Sequence, residues 1–224
     1  MTRHASATMN TFKIKTVSNI TSIRKFHQLP FEIYKNDENW APHPKQDVEA
    51  VFDKKKNKYF RHGKCERWIL VNKGNKVVGR IAAFVDKKRA FTFNQPTGGI
   101  GFFECIDNQT AANMLFDTGK RWLEKEGMEA MDGPINFGVN INYWGLLLDN
   151  FEFPSYYGQN YNPPYYKALF ENYGFQGISA VPAEPGNGVL LHCIHRRLLP
   201  AADGIGPSAP VLHSGASCGI AAVA

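Results

Sequence analysis

Cysteine and histidine are the residue types of this chain best suited to metal binding or covalent chemistry. The chain holds four scattered cysteines with no paired spacing, at Cys65, Cys105, Cys193 and Cys218. His192 and His195 flank one of them, but no second pair of ligands accompanies this cluster. A zinc site or disulfide framework would need paired spacings. We therefore predict reduced thiols, no disulfides and no metal site.

A basic cluster runs from Lys54 to Lys64 and supplies much of the formal net charge of +6. We favour a solvated turn between a helix and a strand. The alternative is a basic lip for phosphates or anionic lipid headgroups. A nucleic-acid-binding module is a weaker hypothesis, because no helix-turn-helix, RNP-like strand or zinc frame accompanies the cluster. We therefore predict no specific nucleic-acid partner.

The bulk composition is that of one globular domain with an appendage. The chain has 224 residues, 43% hydrophobic and 21% charged. No apolar run approaches the length of about 18 residues that a membrane span requires, and the first residues contain no apolar signal region. We predict a cytoplasmic protein with at most peripheral membrane contact. The segment Met9–Val17 is typical of a natural start, so residues 1–8 are predicted to be a leader derived from cloning.

The composition changes abruptly near residue 178. Every Phe, Tyr and Trp lies at or before Phe175, and the last lysine is Lys167. The remainder, residues 178–224, is rich in Ala, Gly and Pro and has little from which to build a core. We predict a domain over residues 9–177 and an irregular, low-complexity tail over 178–224. That tail is either a natural linker or foreign sequence.

Hydrophobic periodicity predicts nine elements in the order β-α-α-β-β-β-α-β-α. They are listed here in chain order: Phe12–Val17, Thr21–Lys35, Pro44–Lys55, Trp68–Asn72, Val77–Asp86, Ile100–Ile106, the helix from Asp107 or Asn108 to Gly127, Met128–Gly133 and Pro163–Tyr173. Pro30 lies inside the first helix, so a kink or two shorter helices are alternatives. A three-strand meander followed by a β-α-β crossover predicts an α/β fold with a mixed, mostly antiparallel sheet covered by helices.

This element order, together with the segment Tyr166–Phe175, resembles the GNAT superfamily of acyl-CoA N-acyltransferases. Further blocks resemble its YghO-type, bacterial ceramide-synthase-like branch: Leu29–Tyr34, Asn39–Pro42, Val78–Ala83, Gly101–Glu104, Gly133–Asn136 and Tyr161–Tyr166. Each block is weak alone, but their collinear order is fairly specific. Members of that branch are usually longer, so the chain would correspond to their first part. The resemblance implies acyl transfer from acyl-CoA to an amine, with a sphingoid or other lipid-like amine as one candidate acceptor.

The resemblance also implies where coenzyme A would bind. The strand Gly101–Ile106 would offer backbone groups to the pantetheine arm. The helix start that follows would hold the diphosphate with free N–H groups and its positive dipole end. The predicted cofactor-binding residues are Phe103, Cys105, Asn108, Gln109, Thr110, Ala111 and Asn162. The usual glycine-rich phosphate loop is missing here, so an ordinary N-capped helix is an equally good interpretation, and Asn162 is at least as well suited to capping the last helix.

Three residues are predicted to be catalytic. Glu104 would be the general base that takes a proton from the amine, and Tyr165 and Tyr166 would be candidate proton donors to the thiolate. The position where many relatives carry a tyrosine is Phe170, which has no proton to give. The alternative for Glu104 is a strand carboxylate that faces solvent or pairs with lysine, and for the tyrosines it is core packing.

The loop between Asn136 and Asn160 is rich in Asn, Tyr and Trp. Long irregular loops in compact domains are often functional, so we predict that the acceptor lies against it, or that it is a lid held by its aromatic residues. A second hypothesis is a GNAT-fold remnant without activity. Closing strands should follow Phe175, and their absence would leave an open sheet edge that favours homo-oligomers.

Overall fold

The structure is a computed structural model. It describes residues 11–92, 95–138, 142–154, 157–181 and 191–198, with the backbone alone at 178–181 and 191–195. The strands of these residues are β1 Phe12–Thr16, β2 Gly63–Asn72, β3 Val77–Asp86, β4 Thr97–Cys105, β5 Ala130–Gly133, β6 Leu146–Leu147, β7 Gln176–Val181 and β8 Leu191–Arg197. The helices are α1 Ile20–Ile33, α2 Lys45–Phe52, α3 Lys87–Ala90, α4 Gln109–Lys125 and α5 Tyr166–Tyr173, with a 3₁₀ turn at Lys58–Arg61.

In the described residues the strands form one eight-stranded sheet in the order β1-β2-β3-β4-β5-β8-β6, with β7 also paired to β8. The β4–β5 pair is parallel and the others are antiparallel. The α/β fold class and the mixed, mostly antiparallel sheet are thus confirmed. The parallel pair follows from the β-α-β crossover through α4, since a parallel connection needs a long return segment.

Successive side chains of a strand point to opposite faces of the sheet, and here each face carries its own helix. On one face, Trp68 and Leu70 of β2 join the large core with α4 and α5. On the other, Ile69 and Val71 pack with Phe26 of α1. We call these the α4 face and the α1 face. The sheet is therefore buried on both sides.

A β-bulge in β4 changes which of its side chains reach each face. Glu104 pairs with Arg80 and Gly101 with Ala82, so two residues of β4 stand opposite the single residue Ile81. Phe102, within the bulge, has φ of 50°. A bulge of this kind resets the alternation of side chains. As a result Phe103 belongs to the core of the α4 face, while Glu104 faces Arg80.

β4 and β5 are paired only at their beginnings. Their register covers Thr97–Gly99 with Ala130–Asp132, and the Ile135 N–H then donates to the Ile100 carbonyl at 2.8 Å. A Cβ on Gly101 would lie 2.0 Å from the Ile135 carbonyl oxygen, so only glycine allows this approach. Beyond this point β4 continues to Cys105 without β5 beside it. This part of β4 has an open edge.

The predicted elements are found with shifted ends. β3 begins and ends as predicted, whereas β2 begins at Gly63, five residues before the predicted start. α1 is one helix from Ile20 to Ile33 that includes Pro30, so the predicted single helix is found and the alternative of two shorter helices is wrong. Asn108 is the N-cap of α4, with its side chain bound to the Ala111 N–H at 2.9 Å. Gly127 follows α4 with φ of 83°, as a C-terminal glycine stop requires.

The prediction of an irregular segment after residue 177 is wrong for part of that segment. β7 extends to Val181 and β8 covers Leu191–Arg197, and β8 pairs with β5. The inference of missing closing strands is therefore also wrong, because β8 covers the edge of β5. Composition misled here because backbone hydrogen bonds to an existing edge need no aromatic side chains. Residues 1–8 and most of the remaining tail lie outside the described residues.

None of the helices in the described part of the chain combines the length and apolar character that a bilayer crossing requires.

Candidate functional site

A cavity of about 310 Å³ opens on the α1 face, beside the part of β4 that β5 has left. Its wall brings together α1, the segment 40–48, β3, the end of β4, the loop around β6 and the start of α5. Its lining includes Arg24, His27, Phe31, Trp40, His43, Lys45, Val48, Arg80, Phe102, Phe103, Glu104, Tyr143, Leu146, Tyr161, Asn162 and Tyr166. A concave site with aromatic walls and a few converging polar groups is the usual form of a small-molecule site.

Glu104 lies in this wall and is 8% exposed. The hydroxyls of Tyr34 and Tyr166 donate to its Oε2 at 2.8 and 2.7 Å, and Arg80 Nη2 donates to its Oε1 at 3.3 Å. Burial raises the pKa of Glu104, while the Arg80 charge and the three hydrogen bonds oppose the rise. The alternative of a solvent-facing carboxylate or lysine partner is therefore wrong, because the partner is a buried arginine.

The open edge of β4 is covered by the two predicted tyrosines. The Cys105 N–H donates to the Tyr166 hydroxyl at 2.8 Å, and the Tyr165 hydroxyl donates to the Cys105 carbonyl at 2.8 Å. Burial raises the pKa of both tyrosines above its usual range. Both phenols are thus protonated, and they satisfy the backbone groups that a strand-like ligand would use.

The start of α4 lies away from the cavity. Thr110 is exposed and Ala111 is buried. The Gln109 side-chain amide donates to the Leu169 carbonyl at 3.0 Å, which ties this turn to α5. Of the seven predicted cofactor-binding residues, Phe103 and Asn162 line the cavity, and the five at positions 105 and 108–111 do not appear in its described lining.

Phe103 and Phe170 belong to an aromatic cluster in the core. Phe103 stacks on Phe116 with ring centroids 4.7 Å apart and an interplanar angle of 11°, and Phe170 packs against both rings. Phe170 is fully buried. The position that would carry a tyrosine in many relatives is a core position in this chain.

Asn162 holds β6 in place. Its Oδ1 accepts from the Leu147 N–H at 2.7 Å, and its Nδ2 donates to the Leu147 carbonyl at 3.1 Å. The side-chain amide thereby imitates one residue of a neighbouring strand. The prediction that Asn162 caps α5 is wrong, since that helix has Tyr165 at its N-cap without a side-chain bond.

Two histidines of the cavity wall were not predicted. Burial and the nearby Arg80 charge lower the pKa of His43 to about 4, so its ring is neutral at neutral pH. His27 Nε2 lies 2.6 Å from Glu49 Oε1, and Glu49 also forms two hydrogen bonds with Arg67. His27, Glu49 and Arg67 thus form an ion-pair group, distinct from that of Arg80 and Glu104, which joins α1, α2 and β2.

Arg80 and Tyr34 are the other residues that sequence reasoning missed as parts of the site. Arg80 offered a usable signal, because it is a lone cation within the apolar run Val77–Val85 and such residues are rarely buried unless paired. Tyr34 offered none, since its hydroxyl reaches Glu104 across 70 positions of sequence.

Part of the long loop between Asn136 and Asn160 lines the cavity. Tyr143 and Asn160 of the loop line the cavity. Tyr161, which follows the loop, also lines it, and its hydroxyl donates to the Asp37 carboxylate at 2.8 Å. Residues 139–141 and 155–156 of the loop lie outside the described residues. The basic residues Lys54–Lys56 form an exposed turn. Among the described residues no group of three or more potential ligands could hold a metal ion.

No family model matches the chain. The Escherichia coli K12 protein YghO is 29% identical over 163 residues, which is 72% of this chain and 41% of that protein. The chain thus spans about two fifths of the length of the curated relative that it matches.

Several solved structures resemble the chain at low identity. A GCN5-related N-acetyltransferase from Kribbella flavida has a TM-score of 0.51 at 14% identity and covers 84% of this chain and 98% of its own. The ribosomal-protein-S18-alanine N-acetyltransferase of Escherichia coli gives 0.51 at 10%, over 87% and 99%. YncA of Salmonella typhimurium, solved with its cofactor acetyl-CoA, gives 0.52 at 12%, over 89% and 99%. At these identities the likeness establishes the fold, and the chain has the fold of the GNAT N-acetyltransferases.

Proposed function

We propose that this chain transfers an acyl group from acyl-CoA to an amine, with Glu104 as the general base. The observation that carries the proposal is the position of Glu104, which lines the cavity at the edge of β4 that β5 leaves open. An amine in the cavity and a thioester along that edge would approach each other at this carboxylate. The GNAT fold of the chain supports the same reaction class, as an argument from fold alone.

The chemistry requires one bond to form and one to break. The amine nitrogen attacks the thioester carbonyl, the C–N bond forms, and the C–S bond breaks with the electron pair leaving on sulfur. Glu104 takes the proton lost by the nitrogen, and a raised pKa brings a carboxylate closer to the range in which a general base is efficient.

We assign Tyr165 as the donor of a proton to the leaving thiolate. The Tyr166 hydroxyl is shared between Glu104 and the Cys105 N–H, whereas the Tyr165 hydroxyl has one hydrogen-bond partner among the described residues, the Cys105 carbonyl. Tyr165 is also half-buried rather than fully buried. It can therefore turn toward a ligand with the loss of one hydrogen bond.

We place the thioester arm along β4 at Cys105, where it would replace the two tyrosine hydroxyls. The substrate would reach this edge without breaking any strand pair. Its diphosphate would lie at the start of α4, near Gln109 and the exposed Thr110, where helix N–H groups favour an anion. Phe103 and Ala111 contribute core packing beneath this path.

A lipid-like amine is the acceptor class that we favour. The aromatic walls of the cavity support this choice. A cavity of about 310 Å³ lies at the small end of ligand pockets, so we expect it to take the amine end of a long chain. The remainder would leave past Phe31, which is 56% exposed at the mouth. A cytoplasmic location and self-association stay predictions.

Release of free thiol tests the proposal. We would mix the full chain with acetyl-CoA or palmitoyl-CoA and with short alkylamines or a long-chain sphingoid amine. We expect thiol release that needs both substrates, and a loss in kcat of about 10²- to 10⁴-fold in Glu104→Gln. Glu171→Gln, an exposed carboxylate on α5, is the matched control and should keep full activity. Absence of both thiol release and acyl-CoA binding heat for every pair would refute the proposal.

A binding protein without turnover is the second candidate. Both Cys105 backbone groups are already paired with tyrosines, and both oxygens of Glu104 are hydrogen-bonded. Such a site could hold a ligand while performing no chemistry. Acyl-CoA binding heat with no thiol release, in the same experiment, would favour this candidate.

A further inference from the structure

We propose that Arg80 is a positioning residue for Glu104, and that Pro30 makes this possible by leaving the Phe26 carbonyl free to anchor the arginine. The contacts stand independently of any reaction, while their catalytic use rests on the proposed function. The device links α1, β3 and β4 through one buried guanidinium.

Pro30 supplies the first part of the device. In an α-helix the N–H of each residue donates to the carbonyl four residues earlier, and proline has no N–H. Pro30 lies within α1, so the Phe26 carbonyl lacks its usual intrahelical donor. Arg80 Nη1 donates to that carbonyl at 2.9 Å. Because Phe26 is fully buried, an unpaired carbonyl here would be unfavourable.

Arg80 supplies the second part. Its Nη1 is held by α1 and its Nη2 contacts Glu104 Oε1 at 3.3 Å. The guanidinium carbon also lies 4.7 Å from the centroid of the Phe26 ring. A planar guanidinium offers donors in a fixed fork, so one side chain can bind two acceptors at a set angle. The helix carbonyl thereby fixes the direction from which positive charge reaches Glu104.

Glu104 is the third part. All three of its hydrogen-bond partners, Tyr34, Tyr166 and Arg80, are donors, which suits an ionised carboxylate. Arg80 from β3 is the one cation bonded to it in the described residues. Arg24 and His27 of α1, His43 before α2 and Lys45 at the start of α2 face the same cavity. Burial alone would favour the protonated acid, so Arg80 preserves a base at the cavity wall.

The test measures ionisation of Glu104 directly and needs no substrate. The full chain would be labelled with ¹³C at glutamate side-chain carboxyls and titrated by NMR, with Glu104→Gln identifying the signal. In Arg80→Met we expect the Glu104 midpoint to rise by about one pH unit or more, since an opposite charge within hydrogen-bond reach is worth about 1–3 units. An unchanged midpoint would overturn the proposal.

Pro30→Ala tests the anchor while it keeps the arginine. It restores an N–H that competes for the Phe26 carbonyl, so we expect a smaller rise in the Glu104 midpoint. Arg80→Lys keeps the charge but not the fork, and should lie between wild type and Arg80→Met. If Arg80→Met does not fold, Pro30→Ala and Arg80→Lys test the proposal instead. A Glu104 midpoint equal to that of wild type in both variants would overturn it.

Arg67→Met is the matched control. Arg67 is also buried and also lies over the Phe26 ring, with its guanidinium carbon 5.1 Å from the centroid, but it pairs with Glu49. In Arg67→Met we expect the Glu104 midpoint to equal that of wild type. An equal rise of this midpoint in Arg67→Met and Arg80→Met would overturn the specific role of Arg80. Absence of acyl transfer would leave this result standing, so the two proposals fail separately.

Discussion

The two faces of β4 differ in what they are built from. On the α1 face, Glu104 meets Arg80 and Tyr34 beside a cavity. On the α4 face, Phe103 packs within a continuous aromatic cluster that includes Phe116. Adjacent residues of one strand thus serve binding chemistry and core packing. The sheet can keep a polar site rigid because its other face is fully packed.

Truncation of Phe116 should have the largest effect on folding. It is fully buried and its ring contacts Phe103, Phe170, Tyr173 and Phe175. Phe116→Ala should lower the free energy of unfolding by about 3–5 kcal/mol, through lost burial and a cavity. Urea denaturation would measure it. The control is Phe31→Ala at the cavity mouth, where we expect less than about 1 kcal/mol; equal losses would contradict the contrast between the faces.

Removal of single tyrosine hydroxyls should distinguish the contributions of Tyr166 and Tyr165 to the free energy of unfolding. Tyr166→Phe removes a partner of both Glu104 and the Cys105 N–H, and we expect a loss of about 2 kcal/mol in unfolding free energy. Tyr165→Phe removes only the partner of the Cys105 carbonyl, with an expected loss of about 1 kcal/mol. Both follow from urea curves. A larger loss in Tyr165→Phe would show that the hydrogen bond to the Cys105 carbonyl stabilises the fold more than the two hydrogen bonds of the Tyr166 hydroxyl do.

The ion pairs of Glu49 with His27 and Arg67 should make the free energy of unfolding depend on pH in the acid range. Burial alone would raise the pKa of Glu49, but hydrogen bonds from His27 and Arg67 and their charges lower it to about 2. An unfolded glutamate titrates near about 4.3. A depressed carboxyl pKa stabilises the folded state above the unfolded value, and this stabilisation is lost as the pH falls toward 2.

Because the Glu49 side chain is 29% exposed and solvent screens its charge, we expect it to contribute about 1–2 kcal/mol to the free energy of unfolding. Denaturation of wild type and Glu49→Gln at several pH values would measure it. The difference between them should be full at about pH 6 and shrink toward zero near about pH 2. A difference that does not depend on pH would rule out this ion-pair effect.

The start of α4 should respond most weakly. Asn108→Ala removes the hydrogen bond to the Ala111 N–H and should lower the free energy of unfolding by about 1 kcal/mol. Asn108→Asp keeps a capping oxygen and serves as the control, with a change of a few tenths of a kcal/mol. Thermal melts can resolve the two. No difference between the variants would mean that the cap contributes nothing here.

Local patterns predicted the parts of the fold that depend on neighbouring residues. The apolar run Val77–Val85 predicted β3 with its true ends, and Asn108 with Gly127 predicted the ends of α4. Strand pairing after residue 177 was missed, because an edge strand is stabilised by a partner that local sequence does not reveal. Glu104, which the sequence analysis predicted to be the general base, lines the cavity, but its role as base is still a prediction.

The sequence by itself determined the order of the nine predicted elements and the N-cap of α4, since these follow from interactions over a few residues. Only the tertiary structure decided which way Glu104 points. Strict alternation from Ile100, a residue of the α4 face, would place Phe102 and Glu104 on that same face. The bulge opposite Ile81 instead turns them toward α1. One extra residue in one strand, accommodated against its neighbour, thus put a carboxylate beside Arg80 rather than into an aromatic core.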